Sequence, residues 1–101
     1  MKPGYRLTPQ ARHDLRTIWE CIALDDITSA DRVARNLEKA FQLLAKSPNS
    51  GHTRLDVPTM EPVLFWTVGA YVIAYRPTPK PLHVIRIVHG SRDLAALFDL
   101  E

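Results

Sequence analysis

The chain lacks the features on which several protein classes depend. It has a single cysteine, Cys21, so no intramolecular disulfide can form and a disulfide-stabilised secreted scaffold is excluded. No apolar run approaches the roughly 20 residues that a membrane-spanning helix needs. The first residues also lack the apolar stretch of a signal peptide. We therefore expect a cytoplasmic protein that makes no use of a membrane.

The sequence also lacks the motifs of the common cofactor and metal sites. Its four glycines form neither a Walker-type phosphate loop nor a dinucleotide-binding fingerprint. Its four histidines show no i, i+4 pairing, and with one cysteine they do not group into the ligand set of a structural zinc site. We expect no cofactor and no bound metal.

The composition that is present is typical of one globular domain. The 101 residues are 46% hydrophobic and 24% charged, which suffices for a single core. The formal net charge is only +2, but the basic residues between positions 62 and 92 occur without any acid. Two interpretations remain open for that segment, a solvated face or a surface for an acidic peptide or for phosphates.

The first half of the chain predicts one short strand, at 5–7, and two helices. Thr8 and Pro9 are typical of a helix N-cap followed by proline in the first turn, and this helix should end near Asp26. A second helix should begin at Thr28 and end before the turn formers at 47–51. The predicted core stripes are Leu15, Ile18, Trp19 and Ile22 in the first helix and Ala30, Val33, Leu37, Ala40, Phe41 and Leu44 in the second. Cys21 lies beside the first stripe and is expected to be a buried, inert thiol.

The second half of the chain predicts three strands. Residues 63–68, 71–76 and 82–88 are rich in strand formers, and Gly69 and Ala70 fit a two-residue hairpin loop. Short connections between consecutive strands favour an antiparallel meander. The prediction is a single α+β domain over residues 1–101, with two layers, a helical hairpin packed on an antiparallel β-sheet and the order β-α-α-β-β-β.

Arginines supply the main candidate functional groups. If they converge, they form a basic patch that can grip phosphate or carboxylate; the members are Arg54, Arg76, Arg86 and Arg92. The acid–base groups near this patch are His83 and His89. The competing interpretation is a half-buried Arg86 that pairs with Asp93 or with a helix carboxylate. Proximity of His89, Ser91 and Asp93 in sequence suggests a triad, but a structural role is favoured for Ser91.

Aromatic residues supply one further candidate. Phe65 and Trp66 alternate in a strand, so one should face the helices and the other the open face of the sheet. An exposed aromatic residue on that face would suit partner binding, and Trp66 is kept as a candidate.

An ordered set of short motifs resembles the RelE/ParE toxin superfamily. The first half carries Tyr5-x-Leu7-Thr8-Pro9-x-Ala11-x-x-Asp14-Leu15-x-x-Ile18-Trp19, then Ala30-Asp31-Arg32, then Leu44-Ala45-x-x-Pro48-x-x-Gly51. The second half carries Val68-Gly69-x-Tyr71-x-Ile73-x-Tyr75-Arg76, then Ile85-Arg86-Ile87, then His89-Gly90-Ser91-Arg92-Asp93-Leu94. The Tyr75-Arg76 strand end and the motif at 89–94 are most similar to the ParE branch.

The resemblance implies the toxin half of a bacterial type II toxin–antitoxin pair and the β-α-α-β-β-β sandwich. ParE-like toxins are inhibitors of DNA gyrase, and ParD-like antitoxins wrap and neutralise them. RelE-like relatives cut messenger RNA on the ribosome, with basic residues on the sheet and a tyrosine or histidine near the C-terminus. The last residues here, 98–101, contain neither.

We therefore predict a ParE-like toxin that inhibits DNA gyrase by binding, has no catalytic residues and forms a hetero-oligomer with a ParD-like antitoxin. DNA would be contacted only through the antitoxin complex. The candidate partner-binding residues are Trp66, Arg76, Arg86, His89 and Arg92. The alternatives are a RelE-like ribosome-dependent mRNA endonuclease and a non-toxic copy that only binds its antitoxin.

Overall fold

The predicted order of helices and strands is confirmed by the computed structural model, which describes residues 4–53 and 62–91. A short 3₁₀ turn, Pro48–Ser50, follows the second helix. The elements are β1 (Tyr5–Leu7), α1 (Pro9–Ala23), α2 (Ile27–Lys46), β2 (Leu64–Val68), β3 (Tyr71–Arg76) and β4 (Leu82–His89). Within the described residues, neither helix is long and apolar enough to cross a membrane.

The four strands form one sheet in the order β1-β4-β3-β2. Strands β2, β3 and β4 are the predicted antiparallel meander. Strand β1 instead pairs in parallel with β4, with Tyr5 opposite Leu82, so the sheet is mixed and not antiparallel throughout. The alternating pattern of a three-residue strand carries no information on whether its neighbouring strand runs parallel or antiparallel to it. The partner residues also lie more than 70 positions away, so the sequence pattern could not reveal this parallel pairing.

The start of α1 is fastened to the sheet by its capping residue. The Thr8 Oγ1 accepts the Ala11 N–H at 3.1 Å, as an N-cap does, and donates to the Ile85 carbonyl at 2.9 Å. The Thr8 N–H also donates to the Val84 carbonyl, at 3.0 Å. One residue therefore caps α1 and joins it to β4.

The start of α2 differs from the prediction. Asp26, and not Thr28, is the N-cap, and its carboxylate accepts the Thr28 N–H at 3.0 Å and the Ser29 hydroxyl at 2.7 Å. These bonds lower the pKa of Asp26, with the Ser29 bond as the largest cause. A carboxylate satisfies two donors here and also suits the positive end of the helix, which explains why the helix begins earlier.

The main core lies between the helices and one face of the sheet. Trp19, predicted as core, is only partly buried, and its Nε1 donates to Asp31 on α2 at 2.8 Å. The buried residues between the two layers are Ala11, Leu37, Ala40, Phe41, Leu44, Ile73, Tyr75, Leu82, Val84 and Ile87. The opposite face of the sheet carries a second buried cluster of Val63, Phe65, Val72, Ala74 and Val88.

Tyr75 joins the core to the turn that follows α2. Its ring is completely buried, and its hydroxyl accepts the Gly51 N–H at 2.9 Å and donates to the Pro48 carbonyl at 2.7 Å. Burial raises the pKa of Tyr75, while the Gly51 hydrogen bond acts in the opposite direction. A Cβ on Gly51 would lie 2.5 Å from the Tyr75 hydroxyl oxygen, so only glycine allows this approach.

Candidate functional site

A β-bulge in β4 sets the orientation of the side chains next to α1. Ala74 of β3 pairs with Arg86, whereas the next residue, Tyr75, pairs with Val84. Ile85 is therefore an extra residue on β4, and it packs against the cluster on the face away from the helices. The bulge lets Arg86 turn toward α1, which positions the arginine for a carboxylate on that helix.

The partner of Arg86 is Asp14. The Arg86 Nε donates to Asp14 Oδ2 at 2.8 Å, and its Nη2 donates to Asp14 Oδ1 at 3.2 Å. Asp14 is only 9% exposed and the Arg86 side chain 20%. This is the fork geometry in which an arginine and a carboxylate bind most strongly. The interpretation of Arg86 as a half-buried partner of a helix carboxylate is thus confirmed.

Asp14 also completes the hydrogen bonding of β4. Strand β1 ends at Leu7, opposite Val84, so it does not extend alongside Ile87. The Ile87 N–H instead donates to Asp14 Oδ2 at 3.0 Å. One side chain of α1 therefore takes the place of a missing strand neighbour.

A cleft of about 410 Å³ opens between α1 and β4 beside this ion pair. Cys21 lines it and is exposed, so the expectation of a buried thiol was wrong. The reason is that this face of α1 borders the open cleft, where no other element of the described residues covers the thiol. The polar side chains that line the cleft are Gln10, His13, Asp14, Thr17, Cys21, Tyr71, Arg86 and His89.

The ring of His89 is held at the mouth of this cleft by two neighbours. Tyr71 packs at its edge, with ring centroids 5.6 Å apart and an interplanar angle of 81°. The Ser91 N–H donates to His89 Nδ1 at 3.1 Å, and the Ser91 hydroxyl lies 2.7 Å from the same nitrogen. A backbone N–H can only donate, so Nδ1 accepts and the neutral ring carries its proton on Nε2. The Nε2–H group is therefore a hydrogen-bond donor.

Comparison with known protein families shows to which family the chain belongs. Residues 5–94 match the family model described as the ParE toxin of the type II toxin–antitoxin system, parDE. The chain belongs to the ParE toxin family. No curated protein matches the sequence.

The fold has a counterpart among solved structures. A chain from the chromosomal ParDE TA system of P. aeruginosa is similar to this ParE-family toxin with a TM-score of 0.67. The match covers 84% of this chain and 92% of that chain, at 21% sequence identity. At that identity the likeness establishes the shared fold, two helices on a four-stranded mixed sheet.

Of the four predicted partner-binding residues that the structure describes in this ParE-family toxin, two lie together. Arg86 and His89 line the same cleft. Arg76 pairs in register with His83, and strand alternation places both on the face away from the helices, since Tyr75 faces the helical layer. Arg76 and Arg86 therefore do not converge, so the condition for a basic patch that includes both arginines is not met.

The aromatic candidate Trp66 lies outside the cleft that Arg86 and His89 line. Trp66 is partly buried against the helix-side core, and its ring stacks on His52 with centroids 6.4 Å apart and an interplanar angle of 12°. Phe65 occupies the opposite face and is buried. The prediction that one of the two rings faces the helices and the other the opposite face is thus confirmed, with Trp66 on the helix side, where a partner can still reach its exposed part. Arg54, Arg92 and Asp93 lie outside the described residues.

Sequence reasoning missed the α1 side of the cleft. Asp14 is three residues after Ala11 and four before Ile18, so it stands within the inward-facing side of α1. A charge in an apolar stripe is a signal that a partner is needed, because buried charges are nearly always paired. Within residues 4–53 and 62–91, no group of three or more His, Cys, Asp or Glu side chains is placed to hold a metal ion.

Proposed function

We propose that this ParE-family toxin inhibits DNA gyrase by binding to it, and that a ParD-like antitoxin neutralises the toxin in a hetero-oligomer. The observation that carries the proposal is the match of residues 5–94 to the ParE family model. In this mechanism the toxin breaks no bond itself. It holds gyrase in its DNA-cleaved state, and the resulting DNA damage causes growth arrest.

The arrangement of the cations favours binding over RNA cleavage. A metal-independent nuclease needs several cations around one phosphate, together with a general base and a general acid. Here Arg86 is engaged by Asp14, and Arg76 lies on the other face of the sheet. These two cationic side chains thus lie on different surfaces, as suits contact with a large partner.

The proposed contact with gyrase involves the residues singled out from the sequence. His89 and Arg86 offer donors at the cleft, and Arg76 offers a cation on the opposite face. Trp66 contributes an aromatic edge, and Arg92 follows His89 in the chain. Interfaces concentrate their binding energy in a few arginines and aromatic residues, which makes this set the one to test first.

Antitoxin binding has support from two surfaces. The sheet order leaves β1 and β2 as edges, and an extended antitoxin segment can add a strand to such an edge. The helical hairpin exposes three large apolar side chains, Leu24, Ile27 and Leu43, to which an antitoxin helix can bind. The basic excess of the toxin suits an acidic antitoxin tail, so binding should weaken as salt is raised.

A supercoiling assay tests the proposal directly. Purified toxin is titrated into DNA gyrase and supercoiled or relaxed plasmid, with and without its antitoxin. We expect loss of supercoiling with accumulation of cleaved DNA, both reversed by the antitoxin. No effect at a large excess of folded toxin would contradict gyrase inhibition, and cleaved messages in a ribosome-dependent translation reaction would then identify a nuclease.

Matched variants locate the contact surface. His89→Ala removes an exposed ring from the cleft, and Arg35→Ala removes an exposed arginine from α2 as the control. A residue at the centre of an interface contributes more than about 1 kcal/mol, so His89→Ala should raise the inhibitory concentration by about fivefold or more. Equal potency of both variants with the unaltered toxin would exclude His89 from the contact.

A further inference from the structure

We propose that the cleft between α1 and β4 is a binding site for a carboxylate group, namely an aspartate or glutamate side chain presented by a protein partner. The inference concerns the chemistry of the cleft, defined by the hydrogen-bond donors of Arg86, His89 and Tyr71. The protein source of the carboxylate rests on the proposed function. The preference of the cleft for a carboxylate does not.

Arg86 retains donors after binding Asp14. A guanidinium group has five N–H bonds, and Asp14 accepts two of them, one from Nε and one from Nη2. Three N–H bonds are left, and the side chain is 20% exposed. The same planar group can therefore bind Asp14 along one edge and a second carboxylate at its remaining N–H groups.

Two further donors line the cleft. Because Ser91 donates to Nδ1 of His89, the Nε2–H of that ring is available as a donor. The Tyr71 ring is in edge contact with the His89 ring and lines the same cleft, so its hydroxyl is a second donor there. Neither group has a hydrogen-bond acceptor for these protons among the residues that the structure describes.

The charge of the cleft matches one carboxylate. Among residues 4–53 and 62–91, Asp14 is the only acidic residue that lines it, and both of its oxygens already accept hydrogen bonds from Arg86 or from the Ile87 N–H. The ion pair is neutral as a whole, so the cleft offers donors without a large excess of positive charge. That favours a monoanion over a doubly charged phosphate group, and the apolar side chains of Ile18 and Ile87 suit the methylene groups of an acidic side chain.

The thiol of Cys21 can report whether the cleft attracts a carboxylate. It is the only cysteine of the chain, it is exposed, and it lines the same cleft. Iodoacetate and iodoacetamide alkylate the same thiolate and have nearly the same size, but only iodoacetate carries a carboxylate. The ratio of their rates therefore reports the attraction of a carboxylate to the cleft, independently of how much thiolate is present.

The test measures this ratio for the whole toxin and for N-acetylcysteine amide at one pH. Attraction at a partly solvated site should raise the ratio on the order of threefold to tenfold above that of the free thiol. His89→Leu and Tyr71→Phe should each lower it toward the free-thiol value, whereas Arg35→Ala should leave it unchanged. A ratio equal to that of the free thiol, or a Cys21 unreactive to both reagents, overturns the proposal.

Competition identifies the source and kind of anion. Acetate and a short glutamate-rich peptide should both slow alkylation of Cys21 by iodoacetamide, and inorganic phosphate should not. Protection by acetate but not by the peptide overturns the assignment to a protein side chain. Protection by phosphate equal to that by acetate overturns the preference for carboxylates. None of these measurements uses gyrase, so failure of the gyrase assay and failure of this proposal are separate results.

Discussion

Removal of Asp14 is the perturbation for which the structure gives the clearest expectation. Asp14→Ala deletes the carboxylate that binds Arg86 and accepts the Ile87 N–H. The arginine then loses its counter-charge, and the amide of β4 loses its acceptor. Both groups lie where α1 meets the sheet, so the substitution weakens the joint between the two layers without removing apolar packing.

The size of the expected stability loss follows from the burial of Asp14 and Arg86. Loss of one member of a fully buried ion pair costs about 3–5 kcal/mol, because the other charge is left uncompensated. Arg86 is 20% exposed and can recover part of its hydration, which moves the expectation to the lower end. An unsatisfied buried N–H adds about 1–3 kcal/mol, not fully additive with the first term. We expect the free energy of unfolding to fall by about 3 kcal/mol.

Urea denaturation measures this loss, with a lower midpoint at unchanged slope. Asp14→Asn is the matched variant, because its side-chain oxygen can still accept the Ile87 N–H; it should lose only about 1–2 kcal/mol. Hydrogen exchange should show faster exchange of the Ile87 amide in Asp14→Ala than in Asp14→Asn. A loss below about 1 kcal/mol for Asp14→Ala, or unchanged exchange at Ile87, would refute the reasoning.

Four further substitutions test the turn and cap contacts. Gly51→Ala should destabilise the protein by about 2 kcal/mol or more, because its Cβ would overlap the Tyr75 hydroxyl. Gly69→Ala has open space around its Cβ and should cost about 1 kcal/mol, because its φ of 56° is positive. Thermal unfolding compares the two variants, and equal losses of stability would contradict the steric account. Tyr75→Phe should cost about 1–3 kcal/mol by leaving a buried N–H and a carbonyl unpaired. The pKa of Tyr75 is raised in the folded protein, so the protonated hydroxyl contributes stability below about pH 10, and this stability is lost as the pH rises further. In a series of denaturation curves at increasing pH, the stability of Tyr75→Phe should therefore fall less steeply than that of the unaltered protein. Thr8→Val removes the N-cap oxygen of α1 and should cost about 1–2 kcal/mol, and a stability unchanged in urea would show that the cap contributes nothing.

The sequence was sufficient wherever the signal is local. The apolar spacing of α2 placed its inward face correctly, with Leu37, Phe41 and Leu44 all buried, because a helix of 20 residues repeats the same periodicity several times. Gly69 marked the β2–β3 hairpin, since a tight loop of this kind needs a positive φ that glycine adopts without strain. The family resemblance likewise rested on short motifs in a fixed order.

The sequence alone allowed two interpretations of Arg86, a free cation in a basic patch or a half-buried partner of a helix carboxylate. No local pattern in the sequence distinguished between them. Asp14 lies 72 positions away, and nothing local connects the two residues. The bulge at Ile85 made the choice, because it turns Arg86 toward α1 while Arg76 stays on the other face.

Only the tertiary structure decided what the cleft contains. Strand β1 runs parallel to β4 and ends at Leu7, where Thr8 caps α1. It therefore leaves the Ile87 N–H for Asp14 and does not fill the space between α1 and the end of β4. The exposure of Cys21 and its place in the same cleft as His89 follow from that same geometry. These are consequences of how elements distant in sequence dock onto each other, whereas periodicity and capping record only how each residue relates to its near neighbours.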